Sequence, residues 1–150
     1  MTLKSKPYEE VQVLLVEDSP DDAELTMRSL SSLKLENEFV WVKDGVEAMD
    51  FLMGEGKYSS RNKSNKPKLI LLDLKLPKLS GIEVLERIKN DEQLRTIPVV
   101  AITSSQEDSD LEACYDLGVN SFVTKPIDYK DFIEATQKVS LYWLLVNKTT

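Results

Sequence analysis

The chain has 150 residues and a mass of 17.1 kDa, the size of one ordinary domain, with 41% hydrophobic and 30% charged residues. It contains no histidine and one cysteine, Cys114, which excludes a Ser–His–Asp triad, a histidine base, a His-ligated metal and an internal disulfide, and fits a reducing cytoplasm. A net charge of −7 argues against a nucleic-acid footprint, and neither a signal core in MTLKSKPYEE nor an apolar run long enough to span a bilayer is present.

VQVLLVED (11–18) reads as a short buried strand ending in acids. Ser19-Pro20-Asp21-Asp22 then opens a helix, with serine as N-cap, proline in the first turn and acids at the positive end of the helix dipole. Ala23, Met27, Leu30 and Leu33 follow at helical spacing. FVWV (39–42) is a second strand, Asp44-Gly45 a turn, and Val46 to Met53 a short helix. The polar, basic segment GEGKYSSRNKSNKP (54–67) reads as a mobile surface loop, a tolerated insertion. LILLD (69–73) is apolar on both faces, as a strand in a covered parallel sheet is. Ser80-Gly81 opens a helix whose apolar face carries Ile82, Leu85 and Ile88. IPVVAIT (97–103) is a fourth strand, Ser109 to Leu117 a helix closed by Gly118, and SFVTK (121–125) a fifth strand. Asp128 caps a last helix carrying Phe132, Ile133, Thr136, Val139 and Trp143.

Five strands alternating with five helices predict an α/β fold: one doubly wound, five-stranded parallel sheet in the order 2-1-3-4-5, flavodoxin-like, in a single domain. Its active crevice is expected at the carboxyl ends of the first and third strands, where the strand order reverses. Glu17-Asp18, Asp73, Thr103-Ser104-Ser105 and Lys125-Pro126 all belong to that edge. Carboxylates brought together repel, so either one takes up a proton or a cation sits between them. With oxygen ligands alone the cation is hard, and few carboxylates with room for water and phosphate favour Mg²⁺ over Ca²⁺. Asp73, rigidly held and partly exposed, suits nucleophilic attack on phosphorus, with Lys125 and the Thr103 hydroxyl serving the transferring group. Taken singly, each of these residues also reads as an ordinary turn, cap or strand residue.

With these residues in place, the chain resembles the receiver domain of two-component response regulators over residues 11 to about 138, with a helical extension to about 146. VLLVEDSPDD, LILLDLKLPKLSG, VVAITS and SFVTKP carry the likeness. The 54–67 loop and the aromatic tail LYWLL are similar to the small single-domain regulators paired with phytochrome-type kinases. The resemblance implies that Asp73 accepts phosphoryl from the phosphohistidine of a sensor histidine kinase. It implies a Mg²⁺ ion held by Asp18, Asp73, the backbone carbonyl of Lys75 and Glu17, the last directly or through water. It assigns Thr103 and Lys125 to the phosphoryl group and Phe122 to the aromatic switch position. Output is then expected through the face of the fourth helix, fifth strand and last helix. Such a protein is not a conventional enzyme; it catalyses only its own phosphotransfer and dephosphorylation. Lys75 and Ser105 occupy positions that tune phosphate lifetime, although a solvated Lys75 is an equally ordinary reading.

Three other readings share parts of this pattern. A flavodoxin-type carrier would need a Ser/Thr/Gly loop where EDSPDD stands, and a haloacid-dehalogenase-type phosphatase would need an acid where Lys75 stands. A degenerate, phosphate-independent interaction module would not need the intact acids. The apolar tail Tyr142 to Val146 either docks on its own core or forms a partner or homodimer contact. With no output domain expected after residue 150, signal is expected to leave through protein contacts, without nucleic acid or membrane.

Overall fold

The structure, a computed structural model, describes residues 13–31, 39–103, 108–124 and 129–142. Five strands, β1 (Val13–Val16), β2 (Phe39–Val42), β3 (Leu69–Asp73), β4 (Val99–Thr103) and β5 (Ser121–Thr124), form one sheet. All four pairings are parallel and the order is β2-β1-β3-β4-β5, as the alternating pattern predicts. Five helices connect and follow them: α1 (Pro20–Ser31), α2 (Gly45–Met53), α3 (Gly81–Lys89), α4 (Asp108–Asp116) and α5 (Tyr129–Leu141). Among the described residues no helix is long and apolar enough to cross a membrane.

The alternation of side chains along each strand divides the core in two. Leu14, Val16, Ile70, Leu72, Val99 and Ala101 face α2, α3 and α4, where they meet Phe51, Leu52, Val84, Leu85, Ile88 and Cys114. Val13, Leu15, Leu69, Leu71, Val100 and Ile102 point the other way, with Ala23 and Leu30 of α1 and Ala135 of α5. Both faces of β1 and β3 are thus apolar, which accounts for their unbroken hydrophobic runs.

The helix starts follow the capping chemistry. Ser19 Oγ accepts from the Asp22 N–H at 3.3 Å, and Ser80 Oγ from the Glu83 N–H at 3.2 Å. Asp44 and Gly45 depart from the expected free turn. Asp44 caps α2 through Oδ1, accepting from the Glu47 N–H at 2.7 Å, and Gly45 is the first helical residue. Leu33, Asp128, Ser104, Ser105, Pro126 and Trp143 lie outside the described residues.

The 54–67 segment is not a surface loop throughout. A 3-10 turn at Gly56–Tyr58 buries the Tyr58 ring edge-to-face against Phe51, with centroids 5.0 Å apart. Arg61 is also buried; Nη1 donates to the Phe51 carbonyl at 2.9 Å and Nη2 to the Asn65 carbonyl. Polar composition concealed these anchors because each carries its apolar or stacking surface beside a polar tip.

Candidate functional site

Register brings the acids together. Val16 pairs with Leu72, so the next residues, Glu17 just past β1 and Asp73 at the end of β3, stand at one level of the sheet edge, and Asp18 follows. One carboxylate oxygen from each of Glu17, Asp18 and Asp73 lies within 4.8 Å of the others. Glu17 is 1% exposed and Asp73 5%, while Asp18 is open to solvent. The expected partial exposure of Asp73 is therefore corrected: the residue is buried, on the strand between β1 and β4.

Main-chain hydrogen bonds hold this arrangement. The Glu17 N–H donates to Val42 O at 3.1 Å, the Ser19 N–H to Glu17 Oε2 at 3.3 Å, and the Trp41 indole N–H to Glu17 O at 2.7 Å. Asp73 Oδ1 accepts from the Lys75 N–H at 3.0 Å. The Leu74 N–H continues the β3–β4 ladder to Ile102 O at 3.2 Å, and the Gly81 N–H donates to Leu74 O at 3.0 Å.

Two glycines let the segment after Asp73 pack this closely. A β-carbon on Gly81 would lie 2.2 Å from Asp73 O, and one on Gly45 would lie 2.1 Å from Leu79 O. Neither position has room for a side chain. Between them Lys78 adopts φ 67°, and its Nζ lies 3.4 Å from Asp44 Oδ2, tying the loop to the start of α2. Lys75 itself is exposed.

At such separations each pair of ionised carboxylates repels by about 3 kcal/mol at an effective dielectric near 20. The donor set is entirely oxygen, and a hard divalent cation fits it. Thr103 ends β4 one residue beyond Ile102, the partner of Asp73, and itself pairs with Thr124. Lys125 lies outside the described residues. Phe122, opposite Ala101 on β5, is partly buried and meets Tyr115 of α4 edge-to-face, with centroids 5.1 Å apart.

The Trp41–Glu17 contact was not anticipated. Its one sequence signal was a tryptophan on a short strand, whose indole N–H needs an acceptor.

The chain matches the response regulator receiver domain family over residues 13–137. Response regulator Rcp1 of Synechocystis sp. is 42% identical over 132 residues, 88% of each protein. The phosphorylated cyanobacterial phytochrome response regulator RcpA superposes with a TM-score of 0.84 at 38% identity, covering 91% of this chain and 96% of RcpA. The Mn²⁺-bound form of Rcp1 superposes with a TM-score of 0.84 at 39% identity, covering 92% and 97%. The expected similarity to small phytochrome-type regulators is thus found along nearly the whole chain.

Proposed function

The chain belongs to the response regulator receiver family of two-component signalling, and on that footing we propose that Asp73 is its phosphoacceptor. The observation that carries this reading is the convergence of Glu17, Asp18 and Asp73 oxygens within 4.8 Å at the carboxyl edge of the sheet. An Asp73 carboxylate oxygen attacks the phosphorus of a kinase phosphohistidine. The P–N bond breaks, the imidazole takes its electron pair, and an aspartyl phosphate forms.

Asp18, Asp73, the Lys75 carbonyl and Glu17, directly or through water, would hold Mg²⁺, which when bound would offset charge on the phosphoryl oxygens. Glu17 and Asp73 are buried, and Asp18 is exposed to solvent. Thr103 and Lys125 are assigned to the phosphoryl group by the family resemblance.

Signal then leaves through the α4–β5–α5 face. Tyr115, 63% exposed, and the Phe122 ring beneath it support this assignment, as does Tyr142, 49% exposed at the end of α5. A population shift at Phe122 on phosphorylation alters what this face presents. The partner is a sensor histidine kinase, of phytochrome type by likeness to RcpA and Rcp1, acting in the cytoplasm.

Acetyl phosphate with Mg²⁺ tests the acceptor. Intact-mass spectrometry is expected to show one added phosphoryl group on the wild-type chain and none on Asp73→Asn; equal labelling of both would reject Asp73.

A further inference from the structure

We infer that Trp41 is a positioning residue of the acidic nest: its indole N–H fixes the peptide that joins Glu17 to Asp18. This rests on the reading of the nest as a divalent-cation site.

Trp41 lies on β2, the edge strand, paired in register with Leu15. Its ring packs with the α1/α5-side cluster, and Lys43 Nζ lies 5.3 Å from the ring centroid. Indole has one polar atom, and that atom only donates. Here it donates to Glu17 O at 2.7 Å, across 24 positions of sequence.

The parallel ladder shows where this donor acts. Val16 pairs with Val42, and the Glu17 N–H donates to Val42 O at 3.1 Å. In a continued ladder the next rung, into Glu17 O, would come from the Asp44 N–H. The chain leaves the sheet first, because Asp44 caps α2. Trp41 supplies the missing donor from its side chain.

Glu17 C=O and Asp18 N–H belong to one rigid peptide plane. The Glu17 N–H, in the preceding peptide, is tied to Val42 O, and the Glu17 C=O to Trp41, so β2 restrains the planes on both sides of the Glu17 α-carbon. The exits of two of the three carboxylate side chains are thereby set. Those carboxylates repel one another, so without an ion they tend to splay. Fixing the plane beforehand lowers the cost of gathering them around a cation, as partners beyond the ligands do in metal sites generally.

Equilibrium titration with Mn²⁺, reading the free aqua ion by electron paramagnetic resonance, tests this on the full chain. The variants are Trp41→Phe and replacement of Trp41 by benzothienylalanine, which keeps the bicyclic shape and puts sulfur in place of N–H. Both are expected to bind Mn²⁺ roughly five-fold more weakly than wild type, the equivalent of one neutral hydrogen bond. A purely structural role would lower the melting temperature and leave the dissociation constant of the folded protein unchanged. Unchanged affinity in the benzothienyl protein overturns the inference, whatever Trp41→Phe does, and that protein also decides the matter if Trp41→Phe fails to fold. Absence of Mn²⁺ binding by the wild type would instead overturn the underlying metal reading.

Discussion

The Arg61 guanidinium carbon lies 4.1 Å from the centroid of the Phe51 ring, while Nη1 of the same group donates to the Phe51 carbonyl at 2.9 Å. One side chain thus covers the face of a core aromatic and satisfies a carbonyl in the last turn of α2. Burial pushes the Arg61 pKa down, the cost of keeping a cation there. Arg61→Ala removes the stacking and both carbonyl contacts. It is expected to lower the unfolding free energy by about 3 kcal/mol, measured by urea denaturation. Arg61→Lys should recover less than half, because an ammonium cannot reproduce a planar fork.

Glu47, in the first turn of α2, gives a pH signature. Burial by itself would raise its carboxyl, but hydrogen bonds from Lys57, the Lys43 N–H and Tyr58 outweigh burial and hold it below the ordinary value. The group therefore contributes stability above its unfolded pKa, about 4.3, and loses it as pH falls through the lower folded value. Glu47→Gln should be less stable than wild type at pH 7, and the gap should close below about pH 4. Urea midpoints for both proteins across this range check the prediction.

Gly81→Ala should be severe. The added carbon would sit 2.2 Å from Asp73 O and 2.5 Å from Leu74 Cα, both backbone atoms with nowhere to retreat. A loss of at least about 3 kcal/mol is expected by thermal or urea unfolding. Whatever folded protein remains should label more slowly with acetyl phosphate, because relief of the clash moves the Asp73 main chain.

Asp18→Asn should separate charge repulsion from metal capture. Removing one of three mutually repelling carboxylates is expected to stabilise the metal-free protein by only about 1 kcal/mol, because Asp18 is exposed and solvent screens most of its repulsion. Mg²⁺ at about 100 times its dissociation constant should stabilise the wild type by about 2.7 kcal/mol, and EDTA should reverse that gain. The variant should show little response to either. Differential scanning calorimetry with and without Mg²⁺ gives both quantities.

The sheet was legible because its evidence is periodic. LILLD, VLLV and VVAIT carry unbroken apolar runs that only a doubly covered strand explains, and all three lie where expected. Glu17, Asp18 and Asp73 were legible for a related reason, since the topology places the ends of β1 and β3 side by side. Tyr58 and Arg61 were hidden in a polar stretch because their burial depends on Phe51, a tertiary partner that local composition does not reveal. The exposure of Asp73 was misjudged likewise. Strand-end position shows where a side chain begins, whereas its accessibility depends on tertiary surroundings, which leave Asp73 5% exposed.

The pairing of β1 with β3 also bears on folding history. Glu17 and Asp18 follow β1, Asp73 ends β3, and the intervening chain includes all of α1, β2 and α2. Such a contact closes a long loop, the slow kind of event in assembling a parallel sheet. On the reading proposed here, a refolding chain gains tight Mn²⁺ uptake no earlier than this strand pair forms. In a stopped-flow experiment the ion would therefore serve as a clock for the sheet's central seam.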